Sequence, residues 1–364
     1  MENISAREGQ LRRAAAGMAG LAIGDALGMQ YETLTHEQIM GLTFDRGVQS
    51  FDSPGPKEGQ RVFSEMSNLK VGDTTDDTQL ARVIAESLIA KGDFDLEDLA
   101  RGHVRAMDET SFGWGSSTKK SVQEIKLFLE TNGVEGRSWN ERASNESTKG
   151  TGNGIAMKVA PLVLFYLFRN GSVGPQLGDW VMQLAYLTHR DPRAGHAAYA
   201  LAQTIAMAMW SPLTLEHDHS MRMLDITPIE VIAMNVRDLE KKYPAEKGMQ
   251  LVSDQLFKIH GEQLLYNHNM HKLRDEIGVS CHAVESVPFA IAIILRNLKD
   301  FRKGVLEAVN SGGDTDTIAA MVGCVLGILN PNDIPSEWLD FRPEYREIGN
   351  LGRKVAETAS ALRD

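Results

Sequence analysis

Two short acidic stretches near opposite ends of the sequence constrain the fold of this chain most strongly. Residues 71–78 read VGDTTDDT and residues 311–317 read SGGDTDT. Each is a glycine-containing turn that delivers Asp and Thr oxygens to the start of an apolar helical pattern. If both stretches serve one site, their carboxylates repel each other unless cations neutralise them, and one fold must bring them together.

Each stretch taken alone also has a plainer interpretation, because Asp and Thr are good N-caps and acids are favoured at the positive end of a helix. Taken together, their hard oxygen donors suit Mg²⁺, Mn²⁺ or Ca²⁺ rather than zinc or copper. Asp314 and Asp316 flank one residue, so a tight turn can direct both at one ion, whereas the adjacent Asp76 and Asp77 could serve two. A calcium-stabilised scaffold is the least favoured alternative, because no Gly follows Asp316 as a helix–loop–helix calcium site requires.

Five segments of the chain resemble the ADP-ribosylglycohydrolase family, and they occur in the family's order. They are GLAIGDALG at 20–28 followed by Glu32, TDDT at 75–78, GNGIAMKVAP at 152–161, THRDPRA at 188–194 and GDTDT at 313–317. One such motif would be a weak indication, but five motifs in order make the resemblance specific.

The resemblance implies an all-α fold, a single large multi-helix orthogonal bundle with a central dinuclear metal cleft. It implies a metal-dependent hydrolase that removes ADP-ribose from modified protein side chains, with arginine-linked ADP-ribose favoured. The expected cofactors are two divalent cations, Mg²⁺ or Mn²⁺, held by Thr75, Asp76, Asp77, Asp314, Asp316 and Thr317. The residues assigned to catalysis are Glu32, Asp77 and Asp316. The residues assigned to substrate binding are Gly113, Trp114, Gly115, Gly152, Asn153, Gly154, Met157, Lys158 and His189.

A rival function is an immunity-type protein that neutralises an ADP-ribosyltransferase toxin by occlusion as well as by hydrolysis. The resemblance suggests it, because some relatives in this family protect cells from such toxins. The acidic composition and the polar segment 1–10 would allow contact with a partner. Protection that survives loss of the metal ligands would favour occlusion.

Several of the substrate-binding candidates keep a structural alternative. The glycine-rich turn at 150–154 is either an anion site at a helix N-terminus or an ordinary helix start. Lys158 stands where family members commonly have Arg, which keeps the charge and loses the bidentate fork. His189 either caps the end of a helix or faces the ribose and metal cavity.

The loop at 112–115 is expected to contact the substrate, since its glycines allow close backbone approach. Trp114 can stack on a guanidinium or pack in the interior. Arginine-directed relatives can carry an acid where Gly113 stands. Asp108 and Glu109 are the nearby substitutes for that acid.

A flap is expected between residues 29 and 70, where turn residues are frequent and no long period is present, with Glu32 at its root. A mobile acid at such a place can supply a ligand or a proton. Before it, an expected helix at about 10–28 places Gly20, Gly24 and Gly28 on one face, where another backbone can come close. Asp25 lies near that face, either as a site residue or as a hydrogen-bonded structural acid.

Composition indicates an ordinary water-soluble chain of 364 residues, with 42% hydrophobic and 24% charged residues. The formal net charge of -11 argues against nonspecific nucleic-acid binding, which depends on Lys and Arg. No apolar run is long enough to span a membrane, and acids precede the basic pair near the N-terminus, so a cytoplasmic location is expected. Two cysteines, Cys281 and Cys324, are interpreted as buried thiols.

One domain over residues 1–364 is expected, because the two metal stretches must share a site. It would carry the short polar N-terminal segment 1–10 and a charged, solvated insertion around 211–280. Helical periodicity predicts further helices at about 75–91, 96–107, 118–129, 285–298, 301–309, 317–329 and 345–362.

Overall fold

The structure is a computed structural model of the chain, and the residues it describes are 2–56, 69–111, 113–131, 150–210, 227–262, 264–265 and 270–363. Within these ranges the regular structure is helical, and pairing of β type is limited to two isolated bridges, Thr35 with Gly312 and Gly152 with His282. The predicted all-α, multi-helix class is therefore confirmed.

The first eight helices of the described chain are α1 (Glu2–Gly28), α2 (His36–Leu42), α3 (Asp76–Lys91), α4 (Leu96–Glu109), α5 (Ser116–Glu130), α6 (Ala160–Asn170), α7 (Pro175–Thr188) and α8 (Pro192–Trp210). The next eight are α9 (Pro228–Lys242), α10 (Val252–Gly261), α11 (Met270–Ile277), α12 (Ala283–Arg296), α13 (Phe301–Asn310), α14 (Thr315–Leu329), α15 (Ser336–Leu339) and α16 (Pro343–Ala361). Short 3₁₀ turns at Met29–Tyr31 and Ala156–Lys158 precede Glu32 and α6.

Glycines on one face of α1 let its backbone lie directly against that of α14. A Cβ added at Gly24 would lie 2.0 Å from the carbonyl oxygen of Ala319, and one added at Gly20 would lie 2.2 Å from that of Gly323. No side chain fits between the two helices at these points. The expectation that the glycine face admits another backbone is correct, and the partner is the helix that begins at the second acidic stretch.

The predicted helices are present with small shifts at their ends, except that α1 begins at Glu2 and so includes most of the expected polar segment 1–10. Two loop predictions are wrong in part. The expected flap at 29–70 contains α2, which begins with a capping box between Thr35 and Gln38. The described parts of the expected solvated insertion at 211–280 form α9, α10 and α11. Their apolar faces are buried, as in α9, where Ile229, Ile232 and Val236 are fully enclosed. Sequence patterning missed these helices because charged outer faces dominate their composition.

A single buried apolar cluster includes side chains from Leu11 in α1 to Ala359 in α16. Helix α16 packs on α1, where a Cβ added at Gly352 would meet the Ala14 carbonyl at 2.7 Å. The division of the chain into domains stays a prediction. In the described residues no helix combines the length and apolarity needed to cross a membrane.

Candidate functional site

The two acidic stretches meet at the ends of three helices. Asp76 and Asp77 occupy the first turn of α3, Asp314 caps α14 and Asp316 lies in the first turn of α14. Close contact of α1 with α14 brings Asp25, near the end of α1, to the same place. The carboxylates of Asp25, Asp77 and Asp316 offer oxygens within 4.8 Å of one another. Helix packing, rather than a local motif, therefore brings these distant carboxylates together.

Asp25 caps α3 from a different helix. Its carboxylate accepts hydrogen bonds from the backbone N–H of Thr75 at 3.0 Å and of Thr78 at 3.2 Å. It also accepts bonds from the two hydroxyls, at 2.9 Å and 2.6 Å. Side-chain oxygens normally cap a helix from its own N-cap residue. Here an acid on α1 does so, which fixes the direction in which α3 presents Asp76 and Asp77.

Asp77 has an oxygen that the protein leaves without a partner. Its Oδ2 accepts from Thr317 Oγ1 at 3.5 Å and lies 3.2 Å from Thr75 Oγ1, whose proton is donated to Asp25, while its Oδ1 is buried and has no hydrogen-bond partner. Only 1% of Asp77 is exposed. A buried unpaired carboxylate oxygen is costly, so this atom fits a site for a cation.

Glu32 joins the acids from the other side. Its carboxylate lies within 4.8 Å of oxygens of Asp314 and Asp316. Asp316 thus belongs both to this group and to the group with Asp25 and Asp77. An acid shared between two neighbouring groups of hard oxygen donors fits two cations better than one.

Burial and mutual repulsion raise the pKa values of these carboxyls. Burial, then the charge of Asp314, raises the pKa of Glu32 to about 8. Burial, then the charge of Asp25, raises the pKa of Asp76 to about 7. The pKa values of Asp77 and Asp316 also lie well above the ordinary range, chiefly through burial. Without a compensating cation these groups tend to hold protons.

Asn153, in the glycine-rich turn, reaches the acidic cluster directly. Its Nδ2 donates to Asp314 Oδ2 at 2.6 Å and to Ser286 Oγ at 3.0 Å. Its backbone N–H donates to the Cys281 carbonyl at 3.0 Å. The turn is therefore anchored to the start of α12 and orients one of the candidate metal ligands.

The glycine-rich turn does not open an α-helix, contrary to prediction. Residues 150–154 lead into the 3₁₀ turn Ala156–Lys158, and α6 begins only at Ala160. The proposed anion site at a helix N-terminus therefore loses its physical basis. Gly152 and Gly154 instead lie against the ring of His189, where an added Cβ would come within 3.4 Å and 3.1 Å of ring atoms.

His189 caps the end of α7 and is almost enclosed. Its Nδ1 lies 3.0 Å from Thr188 Oγ1, and the Thr188 carbonyl accepts from Ser121 Oγ. Burial, together with the positive charge of Lys158, lowers the pKa of His189 to about 3. The imidazole is therefore neutral near pH 7 and can shape the glycine-rich turn without adding charge.

Lys158 is placed differently from the prediction. It has no exposed surface, and its Nζ lies 3.3 Å from His103 Nε2. His103 Nδ1 lies 2.8 Å from the Leu99 carbonyl, so Nδ1 carries the proton and Nε2 accepts from Lys158. Burial lowers the pKa of Lys158 to about 7, although the charge of Asp76 opposes that shift. Enclosed beside Asp76, this amine is not available to a phosphate.

Trp114 and Met157 have packing roles in the structure, not the expected contact with substrate. Trp114 is 3% exposed, and its indole N–H donates to Gln79 Oε1 at 2.7 Å. Met157 packs in the same small apolar cluster, which includes Leu80 and Val122. A buried ring cannot stack on a guanidinium from the substrate, so of the two alternatives for Trp114 the structure agrees with packing in the interior.

Gly113 and Gly115 are both exposed, while Phe112 lies outside the described residues. Gly113 has φ +78, and a Cβ added there would lie 2.5 Å from Asp76 Oδ1. The backbone of this loop therefore touches a candidate metal ligand. The substitutes considered for a guanidinium-binding acid lie before the loop, and Asp108 already pairs with Lys126.

Sequence reasoning left three contributors to the site unassigned. Asp25 had two interpretations, and in the structure it is both a hydrogen-bonded acid and a member of the acidic group. Thr78 belonged to the TDDT motif but was given no role, and His103 gave no signal of its own, because each acts through a neighbour that only the fold reveals. Cys281, expected to be buried, is exposed.

The chain is similar to known proteins over nearly its whole length. The family described as ADP-ribosylglycohydrolase matches residues 6–363. The human ADP-ribosylhydrolase ARH3 is 27% identical over 357 residues, covering 93% of this chain and 91% of its own. The ADP-ribosylarginine hydrolase Tri1 of Serratia proteamaculans is 24% identical, covering 95% of this chain and 79% of its own.

A solved structure titled ADP-ribosylglycohydrolase-related protein complex superposes with a TM-score of 0.66. It shares 24% identity and covers 98% of this chain and 100% of its own, so it supports the fold. The family match extends over nearly the whole sequence, including both acidic stretches. The chain therefore belongs to the ADP-ribosylglycohydrolase family and is a hydrolase of ADP-ribosylated substrates.

Proposed function

We propose that this chain hydrolyses the glycosidic bond between ADP-ribose and a modified protein side chain, with the help of two divalent cations, Mg²⁺ or Mn²⁺. The observation that carries the proposal is the meeting of Glu32, Asp76, Asp77, Asp314 and Asp316 in one partly enclosed cluster. Water would add at the anomeric carbon, the glycosidic bond would break, and the side chain would leave with a proton.

The candidate cation ligands are Thr75, Asp76, Asp77, Asp314, Asp316 and Thr317. The unpartnered Oδ1 of Asp77 and the sharing of Asp316 between two acid groups support this set. Cations in such a site supply positive charge, orient substrate oxygens and lower the pKa of water. The Thr317 hydroxyl donates to Asp77 Oδ2, and the Thr75 hydroxyl oxygen lies 3.2 Å from the same atom.

Glu32 is our candidate for moving a proton. It is the one acid of its group that is only partly buried, and its carboxylate lies next to Asp314 and Asp316. A partly exposed acid beside a cleft can exchange protons with water and with a leaving group. Asp77 and Asp316 are more enclosed, and we assign them to holding cations first and to proton transfer second.

The proposed function also includes the kind of side chain to which ADP-ribose is joined. Arginine-linked ADP-ribose is the substrate to test first, because the relatives from Serratia and from Pseudomonas putida are named ADP-ribosylarginine hydrolases. The buried position of Trp114 removes one of the grounds for that preference. A panel of arginine-linked and serine-linked peptides therefore decides the linkage, and turnover of the serine-linked peptide alone contradicts the arginine assignment.

The Asp316→Asn variant tests the proposed site, since it keeps the shape of the side chain and removes the shared charge. We expect Mn²⁺ binding by calorimetry to be lost, and release of ADP-ribose to fall by about 100-fold or more, the upper range for disturbed metal sites. Asp333→Asn is the matched control, because Asp333 is an exposed acid after α14. Full hydrolysis by Asp316→Asn would refute the assignment. Continued protection against a toxin by that variant would favour occlusion.

A further inference from the structure

The segment that follows Glu32 contains all three positive-φ residues other than glycine in the described chain. They are Thr33 at φ 69, Phe44 at φ 53 and Asp45 at φ 60. Such conformations are unfavourable for residues with a Cβ and persist only where the surrounding structure over-determines them. We call residues 32–48 the Glu32 segment. Contacts with neighbouring residues must therefore hold the Glu32 segment in this unfavourable backbone conformation.

The first contact pairs the backbone of the Glu32 segment with the turn before α14. The Thr33 N–H donates to the Gly313 carbonyl at 2.8 Å, and the Gly313 N–H donates to the Leu34 carbonyl at 2.8 Å. Glu32 precedes this paired unit by one residue, and Asp314 follows it by one residue. The two acids are consequently positioned by the same pair of hydrogen bonds.

The second contact is made by Asn310, at the end of α13. Its side chain accepts from the Val48 N–H at 2.7 Å and donates to the Val48 carbonyl at 3.1 Å. Its backbone carbonyl accepts from His36 Nδ1 at 2.7 Å, which means that Nδ1 carries the proton. Gly47, at φ +68, packs on the same amide. One residue thus holds both ends of the stretch between His36 and Val48.

We infer that Asn310 is a positioning residue that holds the Glu32 segment on the Asp314 turn and so sets the placement of Glu32 relative to Asp314. The strain in the segment gives it a tendency to move away, and the Asn310 amide opposes that tendency. This inference rests on the proposed function only for its kinetic consequence, because the contacts themselves can be tested without turnover.

The test replaces Asn310 by Ala and measures amide hydrogen exchange by mass spectrometry, with peptides that cover residues 30–50 and 308–318. We expect faster exchange at Val48 and also at Thr33 and Gly313, which Asn310 does not contact. We further expect the Kd for Mn²⁺ to rise about tenfold, as when a group that orients a metal ligand is removed. With a hydrolysed substrate, kcat should fall more than KM changes.

Asn330→Ala is the matched control. Asn330 follows α14 and its side chain donates to the carbonyls of Leu298 and Leu326, so the variant loses comparable bonds away from the acids. His36→Phe keeps a ring and removes only the bond to the Asn310 carbonyl, and it should give a smaller change in the same direction. It replaces the Ala variant if that variant does not fold.

The inference is overturned if Thr33 and Gly313 keep their protection and Mn²⁺ affinity matches that of Asn330→Ala. It is also overturned if Asn330→Ala alters both quantities equally, because the effect would then be general destabilisation. If the unmodified protein releases ADP-ribose from no substrate, the proposed function fails, while exchange and Mn²⁺ affinity still decide the role of Asn310.

Discussion

Gly113 shows how closely a single residue can limit this site. Gly113 has a φ that favours glycine, and its exposed backbone contacts the Asp76 carboxylate. The carboxylate therefore keeps its position only while residue 113 has no side chain. An acid at this position, as the resemblance suggests for arginine-directed relatives, would press on Asp76 unless the loop moved. Any acid that binds the guanidinium of a substrate must therefore belong to another residue of this chain.

The Gly113→Ala variant should weaken cation binding without unfolding the protein. The added methyl displaces Asp76, and we expect the Kd for Mn²⁺ to rise about tenfold, which corresponds to roughly 1.4 kcal/mol. Gly115→Ala is the control, because a Cβ there meets nothing within 4 Å. Calorimetric titration of both variants measures the effect, and equal affinities would show that the contact with Asp76 is unimportant.

The sequence identified the acidic residues of the cluster, but it did not predict the burial of the residues beside them. Asp76, Asp77, Asp314 and Asp316 were identifiable because few other patterns place so many hard oxygens in two turns. Lys158 and Trp114 were misplaced because residue type does not reveal burial. A lysine in a loop is usually solvated, and only packing against His103 shows that this one is enclosed.

Among the elements, the pair α1 and α14 has the greatest influence on the site. Their backbones touch at Gly24, next to Asp25, and at Gly20, about one and a half turns before it. Because no side chain separates the helices, their spacing cannot adjust to accommodate a larger residue. The glycine spacing was visible in the sequence, but its partner was not, since nothing in a glycine face specifies which helix it meets.

The Gly24→Ala variant should be strongly destabilised, because its methyl would lie 2.0 Å from the Ala319 carbonyl oxygen. Overpacking of this kind lowers the free energy of unfolding by about 1–3 kcal/mol. We expect a value at the upper end of that range, because the methyl would meet backbone atoms that cannot shift easily. Gly9→Ala lies on the same helix with nothing within 4 Å and should be neutral or stabilising. Urea denaturation measures both, and equal stability of the two variants would contradict the close contact.

For the whole molecule, the acidic cluster should make stability depend on cations and on pH. Burial raises the pKa of Asp25 to about 6, that of Asp76 to about 7 and that of Glu32 to about 8. Without cations these three carboxyls therefore hold more protons in the folded chain than in the unfolded chain between about pH 4 and pH 8. Their contribution to stability falls as the pH rises through that window, since ionising these groups is harder in the folded state.

Chelation with EDTA should accordingly lower the Tm more at pH 8 than at pH 5. Added Mg²⁺ or Mn²⁺ should restore the Tm and flatten its pH dependence, because bound cations favour the ionised carboxylates. Differential scanning calorimetry over this range, with and without cation, provides the measurement. Parallel Tm curves in the two conditions would show that the cluster does not bind cations as proposed.

The helical class could be predicted from the sequence, and so could eight of the sixteen described helices, because apolar periodicity is a local property. The described helices between 227 and 277 were missed, since their few buried positions are dispersed among charged ones. The site could be predicted only as two separate halves. How they face each other depends on which helices pack together, and that is decided by the whole core.

The contacts that unite those halves join distant parts of the chain. The hydroxyl of Thr315 donates to the carbonyl of Gly28, 287 residues earlier, and Asn153 reaches Asp314 across 161 residues. Contacts of such long range must overcome loop-closure entropy before they stabilise the fold, which slows folding. A chain emerging from the ribosome cannot complete this site until synthesis has passed Thr317. Cation affinity would then report that both halves of the site have come together.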